Sequence, residues 1–249
     1  MHVQAWLTYF SLNATTSRDI PWGLGADLPA DEGGCLVPSL QEFQIGENAD
    51  GSHLRAATAS WAEDHDDELL ARTVDLFIAE EQRHAAELAR FLSINGHPVR
   101  SRNAGDSAFR LLRHLGGGLE GPLSVLLTAE IIGYLYYGAV RAGTRSTLLR
   151  SICDTFLRDE ALHLIFHFEQ LARMRRHRSH AGLWATQAAS RLLMGGACAV
   201  VWARHRRVLQ RGHLTFSSFL EGCLSRLTLV TQNVQLIPKD GSLSSQKSS

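Results

Sequence analysis

Glu80-Glu81-Gln82-Arg83-His84 and Asp159-Glu160-Ala161-Leu162-His163 are the two stretches on which the reading of this chain turns. Each is an acidic residue followed by Glu-x-x-His. A spacing of three residues puts Glu and His on one face of a helix, about one turn apart, so that both side chains reach a common point. Either unit alone is weak. Two copies in one chain form an internal echo, and their surroundings sharpen it.

Both units interrupt an apolar seam. The first seam runs Val74, Phe77, Ile78, then Glu81, His84, Ala85, then Leu88 and Leu92. The second runs Ile152, Cys153, Phe156, Leu157, then Glu160, His163, Leu164, then Leu171. Glu and His therefore stand where the core belongs. An ionised carboxylate buried without a partner costs several kcal/mol or more. A dication among carboxylates and imidazoles removes that cost, and a metal-free polar network is the bland alternative. Between the units lies Glu130, the only charged residue from Leu123 to Val140. Such a Glu marks either a group inside a membrane or a ligand in a bundle core. The helices beside it are amphipathic, which favours the bundle. Upstream, Glu47 falls four residues after Phe43 and seven before Leu54, on the same face, with Asp50 as the alternative carboxylate.

Outward from these stretches the chain reads as almost all helix. The spacing predicts helices over residues 38–63, 66–94, 122–141 and 146–176, a short one over 106–115, and two more over 181–209 and 215–234. Pro38 is read as a first helical residue. Ser146 is read as an N-cap, and Gly96 and Pro98 as a stop. Residues 1–35, with Pro21, Pro29 and several glycines, read as an irregular lead-in. Residues 36–178 read as the bundle and 179–236 as additional helices packed on it. Residues 237–249 read as a disordered polar tail.

Composition adds exclusions. Hydrophobic residues make up 45% of the 249, charged residues 20%, and the formal net charge is +0. That is ordinary globular composition, with no general pull toward nucleic acid or anionic lipid. Cys35, Cys153, Cys198 and Cys223 form no CxxC pair. They read as buried or reduced thiols of a cytosolic protein. Met1–Ala14 lacks the basic region and long apolar core of a signal peptide, so a cytoplasmic location is expected. Residues 121–140 are long enough to span a membrane, but read as the most buried helix of the bundle.

The ligand-type residues in order, Glu47, then Glu81 and His84, then Glu130, then Glu160 and His163, complete a known pattern: one Glu from each of two helices and Glu-x-x-His from each of two others. Over residues 38–176 the chain resembles the ferritin-like di-iron carboxylate superfamily, which includes bacterioferritin, rubrerythrin and the bacterial multicomponent monooxygenases. The resemblance implies an all-α, ferritin-like four-helix bundle holding two iron ions, with Mn/Fe as a variant. Glu81 and Glu160 would bridge the ions. His84 and His163 would each bind one, and Glu47 and Glu130 would be terminal ligands. In the monooxygenases the acid before each unit bonds the opposite histidine; here Asp159 would serve His84, and Glu80 would serve His163.

The activity implied is that of a non-haem oxidoreductase: an oxidase or oxygenase using dioxygen or peroxide on a small organic substrate, with an electron donor and an oligomeric state left open. The alternatives are a ferroxidase or peroxide-reducing protein of rubrerythrin type, and a non-enzymatic metal-binding helical module. The chain departs from two of these relatives. Without CxxC pairs it has no fused rubredoxin. The arylamine N-oxygenases carry a further histidine on the last bundle helix, where this chain has Phe156 one turn before Glu160. Tyr134, one turn beyond Glu130, is the candidate neighbour of the site, with Tyr136 and Tyr137 expected in the core. His167 reads as a buried or boundary histidine.

Overall fold

The computed structural model describes residues 3–100 and 118–233. Every regular element among them is helical: α1 (Val3–Thr15), a 3-10 turn (Trp22–Leu24), α2 (Ala30–Glu47), α3 (Ser52–His65), α4 (Glu68–Ile94), α5 (Glu120–Gly143), α6 (Thr147–Arg175), α7 (His180–Arg211) and α8 (Phe216–Asn233). The helix expected at 106–115 and the tail expected at 237–249 lie outside the described residues.

Helix starts are set by side chains that satisfy otherwise unpaired amides. Asp67 accepts from the Leu70 amide at 3.3 Å ahead of α4. Ser146 accepts from Leu149 at 2.9 Å ahead of α6, and Ser179 from Gly182 at 3.2 Å ahead of α7. α5 is the most apolar helix. By length and composition it passes the test for a membrane span, yet 67% of its apolar window is buried inside the protein. It packs on α6, α7 and α8, while α4 packs on α1, α2, α3 and α6. α7 also lies along α2.

The structure differs from the sequence expectation at the N-terminus. Within the irregular lead-in expected over residues 1–35, Val3–Thr15 form helix α1, and α2 starts at Ala30. α1 buries Trp6, Leu7 and Phe10. Phe10 meets Phe77 edge-on at 6.1 Å and Phe166 at 5.4 Å, and Trp6 Nε1 donates to Glu169 at 2.7 Å. Such contacts, distant in sequence, stabilise a short helix that would be marginal alone. α2 likewise begins eight residues before Pro38, which sits inside it. Its first turn is anchored by the buried carboxylate of Glu32. Glu32 accepts from Thr144 Oγ1 at 2.7 Å, Arg145 Nε at 2.9 Å and Arg211 Nη2 at 2.8 Å. One side chain thus ties α2 to the α5–α6 turn and the end of α7, and offsets the amide lost at Pro38.

The single helix expected over 38–63 is also two. Between α2 and α3 the chain turns through Gly51 at φ +67, and a Cβ there would meet Ile78 Cδ1 at 2.5 Å. Gly51→Ala should therefore cost about 2–4 kcal/mol, the sum of a left-handed backbone and overpacking. Denaturant unfolding measures this, and a change below about 0.5 kcal/mol would contradict the close approach of this turn to α4.

Candidate metal centre

Four helices converge on one buried cluster. Glu47 is the last residue of α2, Glu81 and His84 lie on α4, Glu130 on α5, and Glu160 and His163 on α6. Two donor groups have ligand atoms lying within 4.8 Å of one another: Glu47, Glu81, His84, Glu160, and Glu81, Glu130, Glu160, His163. Glu81 and Glu160 belong to both.

The imidazoles are oriented alike. His84 Nδ1 lies 3.6 Å from Glu81 Oε1 and 3.8 Å from Glu160 Oε1. His163 Nδ1 lies 3.1 Å from Glu81 Oε1, 3.4 Å from Glu130 Oε2 and 3.9 Å from Glu160 Oε2. Each Nε2 faces the acid preceding the opposite Glu: His84 to Asp159 Oδ2 at 3.0 Å, His163 to Glu80 Oε1 at 3.5 Å. An imidazole whose Nε2–H donates to a carboxylate leaves Nδ1 bare to bind a cation. Both pairings are the ones the resemblance implies.

The fit to a cation rests on orphaned atoms. Glu81 Oε1, His84 Nδ1, Glu160 Oε2 and both nitrogens of His163 are buried without a hydrogen-bond partner. Four of these five atoms belong to the converging donor groups, and buried polar atoms left unpaired are rare in native proteins. Burial first, and then the neighbouring carboxylates, push Glu47 and Glu160 well above the usual carboxylate range. Burial works the same way on Glu130, but the neighbouring Glu160 and the facing imidazoles of His163 and His167 outweigh it and hold its pKa well below. His163 is raised well above its ordinary value: burial lowers it, and the carboxylates of Glu130, Glu80 and Glu81 overcome that. Without a metal, protons thus take the place of the missing positive charge. The buried Glu/His groups can hold a metal ion.

A third donor group, Glu80, His84 and Asp159, is already neutralised. Arg18, on the chain between α1 and α2, places Nη2 2.5 Å from Asp159, 3.7 Å from Glu80 and 3.3 Å from His84 Nε2, and Nη1 2.9 Å from Glu87. Asn13 of α1 donates to Glu80 at 2.6 Å. Both Glu80 and Asp159 are held below their ordinary pKa: burial raises them, and the facing histidines, with Asn13 and Arg18, outweigh it.

The helix α2 carboxylate in the cluster is Glu47. Asp50 instead accepts from Ser52 N and Ser52 Oγ, both at 3.0 Å, at the start of α3. Tyr134 does not adjoin the cluster through any contact described; its ring lies under the Arg226 guanidinium, 4.7 Å away, toward α8. The tyrosine at the site is Tyr137, whose hydroxyl donates to Glu47 Oε1 at 2.5 Å. Seven residues is two full turns, so Tyr137 returns closer to the face of Glu130 than Tyr134 does. His167 is buried, with Nε2 3.7 Å from Glu130 Oε1. Arg18 and Asn13 carry no motif, and only an unexplained polar pair beside an apolar helix could have flagged them.

No protein-family model, curated protein or solved structure matches this chain.

Proposed function

We propose that this chain is a ferritin-like bundle holding two iron ions and that it oxidises a small organic substrate with dioxygen. The carrying observation is the pair of donor groups that share Glu81 and Glu160 while each keeps its own histidine and its own further carboxylate. Oxygen-rich sites with one imidazole per ion suit iron or manganese better than zinc or copper. Glu81 and Glu160 would bridge, His84 and Glu47 would complete one position, and His163 and Glu130 the other. A bound pair of irons supplies the electrons that activate dioxygen or peroxide.

The residues around the pair do the rest. Asp159 orients the His84 ring through a hydrogen bond at Nε2, and Glu80 faces His163 Nε2 at ion-pair distance. Tyr137 donates a hydrogen bond from its hydroxyl to Glu47, which favours the ionised carboxylate that a cation needs. Phe156 lies 4.2 Å from the His84 ring, and Phe77 and Phe10 lie 5.0 and 5.9 Å from His163. These aromatic walls exclude water and favour an apolar substrate over iron(II) as substrate. Oxidation of iron or reduction of peroxide is the second reading. It draws on the acids Glu80, Glu87 and Asp159, but the Arg18 cation occupies that polar side. The test is iron content and gas uptake: about two irons per chain by elemental mass spectrometry, with dioxygen consumed by the reduced, loaded protein. Zinc retained in place of iron, with no dioxygen uptake, would defeat the reading.

A further inference from the structure

We propose that the two metal positions are unequal: the one completed by Glu130 and His163 holds its ion tightly and fills first, and the one completed by Glu47 and His84 is the labile position where ions enter and leave. This deepens the dimetal reading above and rests on it.

Three independent features point the same way. The first is backbone support. Glu130 lies in the middle of α5, whereas Glu47 is the last residue of α2, just before the chain turns through Gly51. Helix ends fray, so a ligand there is held from one side only. The second is burial. His84 and His163 are equally buried, but of the two carboxylates that complete the positions Glu130 is buried and Glu47 only half-buried. Water therefore has closer access to the Glu47 side, and an ion there is easier to rehydrate.

The third feature is charge. The guanidinium of Arg18 is 9% exposed, and its Nη2 stands 3.3 Å behind His84 Nε2. A fixed positive charge behind the ring disfavours a dication in front of it. It also shares the negative charge of Asp159, which weakens the pull of that acid on the His84 Nε2 proton. Behind His163 the nearest donor to Glu80 is the neutral Asn13 amide at 2.6 Å. The cations there are farther away, Arg18 at 3.7 Å and Arg83 at 3.9 Å. Each further carboxylate has one buried ring beside it, His167 at Glu130 and Tyr137 at Glu47, so these rings do not separate the two positions.

The experiment is a cobalt(II) titration of the chelator-treated full chain, followed by visible absorption and by equilibrium dialysis with metal analysis. Wild type should bind in two steps at least about tenfold apart, the scale on which supporting residues tune metal affinity. At a free cobalt level between the two steps, Glu47→Ala should keep the ion that wild type holds, and Glu130→Ala should lose it. Far-ultraviolet circular dichroism checks that both variants are folded, and the wild-type titration decides the matter if Glu130→Ala is not. Two ions bound in one step, or Glu47→Ala losing the ion while Glu130→Ala keeps it, would overturn the proposal. Wild type binding no cobalt would overturn the dimetal reading itself, and this proposal with it.

Discussion

Replacing Glu81 by alanine should take the metal content from about two ions per chain to none, with helix content unchanged. Glu81 and Glu160 are the residues common to both donor groups, so one substitution removes a ligand from each position. His163→Ala should act as strongly at its own position and weaken the other through loss of the ion that shares the bridging carboxylates. The fold should survive either change. α4 is anchored by Val74, Phe77, Ile78, Leu88, Phe91 and Leu92, all buried. α6 is anchored by Ile152, Phe156, Phe166 and Leu171. Elemental analysis after dialysis, beside far-ultraviolet circular dichroism, reads both halves of the expectation. Two ions retained per chain in either variant would sink the ligand assignment.

The pH dependence of stability should reverse sign when metal is bound. In the metal-free chain Glu47 and Glu160 titrate above their ordinary 4.5, because burial and neighbouring carboxylates favour the protonated form. Groups raised in this way contribute stability that is complete below the unfolded pKa and is lost as pH rises through the folded one. His163 is raised above its ordinary 6.5 by Glu130, Glu80 and Glu81, which overcome burial. Its contribution is complete below 6.5 and is also lost as pH rises. Glu130 has the opposite sense. Its depressed pKa gives stability above 4.5 that disappears as pH falls through the lower, folded value.

The metal-free chain should therefore lose stability as pH rises above the ordinary carboxylate and histidine values, by about 1.4 kcal/mol per pH unit for each proton held only in the folded state. The loaded chain should gain stability over the same range, because the ligands must be deprotonated to bind a cation. Thermal unfolding at several pH values, with and without chelator, measures both slopes. Parallel slopes would mean that the buried cluster does not exchange protons for metal.

Much of the site could be read in the sequence because it sits on single helices. The three-residue spacing in each Glu-x-x-His unit is a property of helix geometry alone. Glu130 stood out as the one charge in an apolar stretch. The pairing of Asp159 with His84 and of Glu80 with His163 was implied by the resemblance, and it needs α4 and α6 to face each other. Tyr137 was harder, since α5 is buried on most sides and its apolar pattern does not single out one face. The helix expected over 38–63 ran straight through Gly51, where the structure has the break that follows α2. That break depends on the close approach to Ile78, which lies on another helix.

By itself the sequence determined that the chain is helical, which residues carry the polar intrusions, and which face of each helix they occupy. These follow from periodicity, capping and the cost of burying charge, all of them local in the chain. Only the tertiary structure decided that α1 is a helix, that Arg18 and Asn13 reach the acids beside the cluster, and that Tyr137 serves Glu47. The Arg18–Asp159 pair spans 141 residues of chain. Contacts of that separation leave no periodic trace, because their free energy is gained only when helices distant in sequence have already packed together.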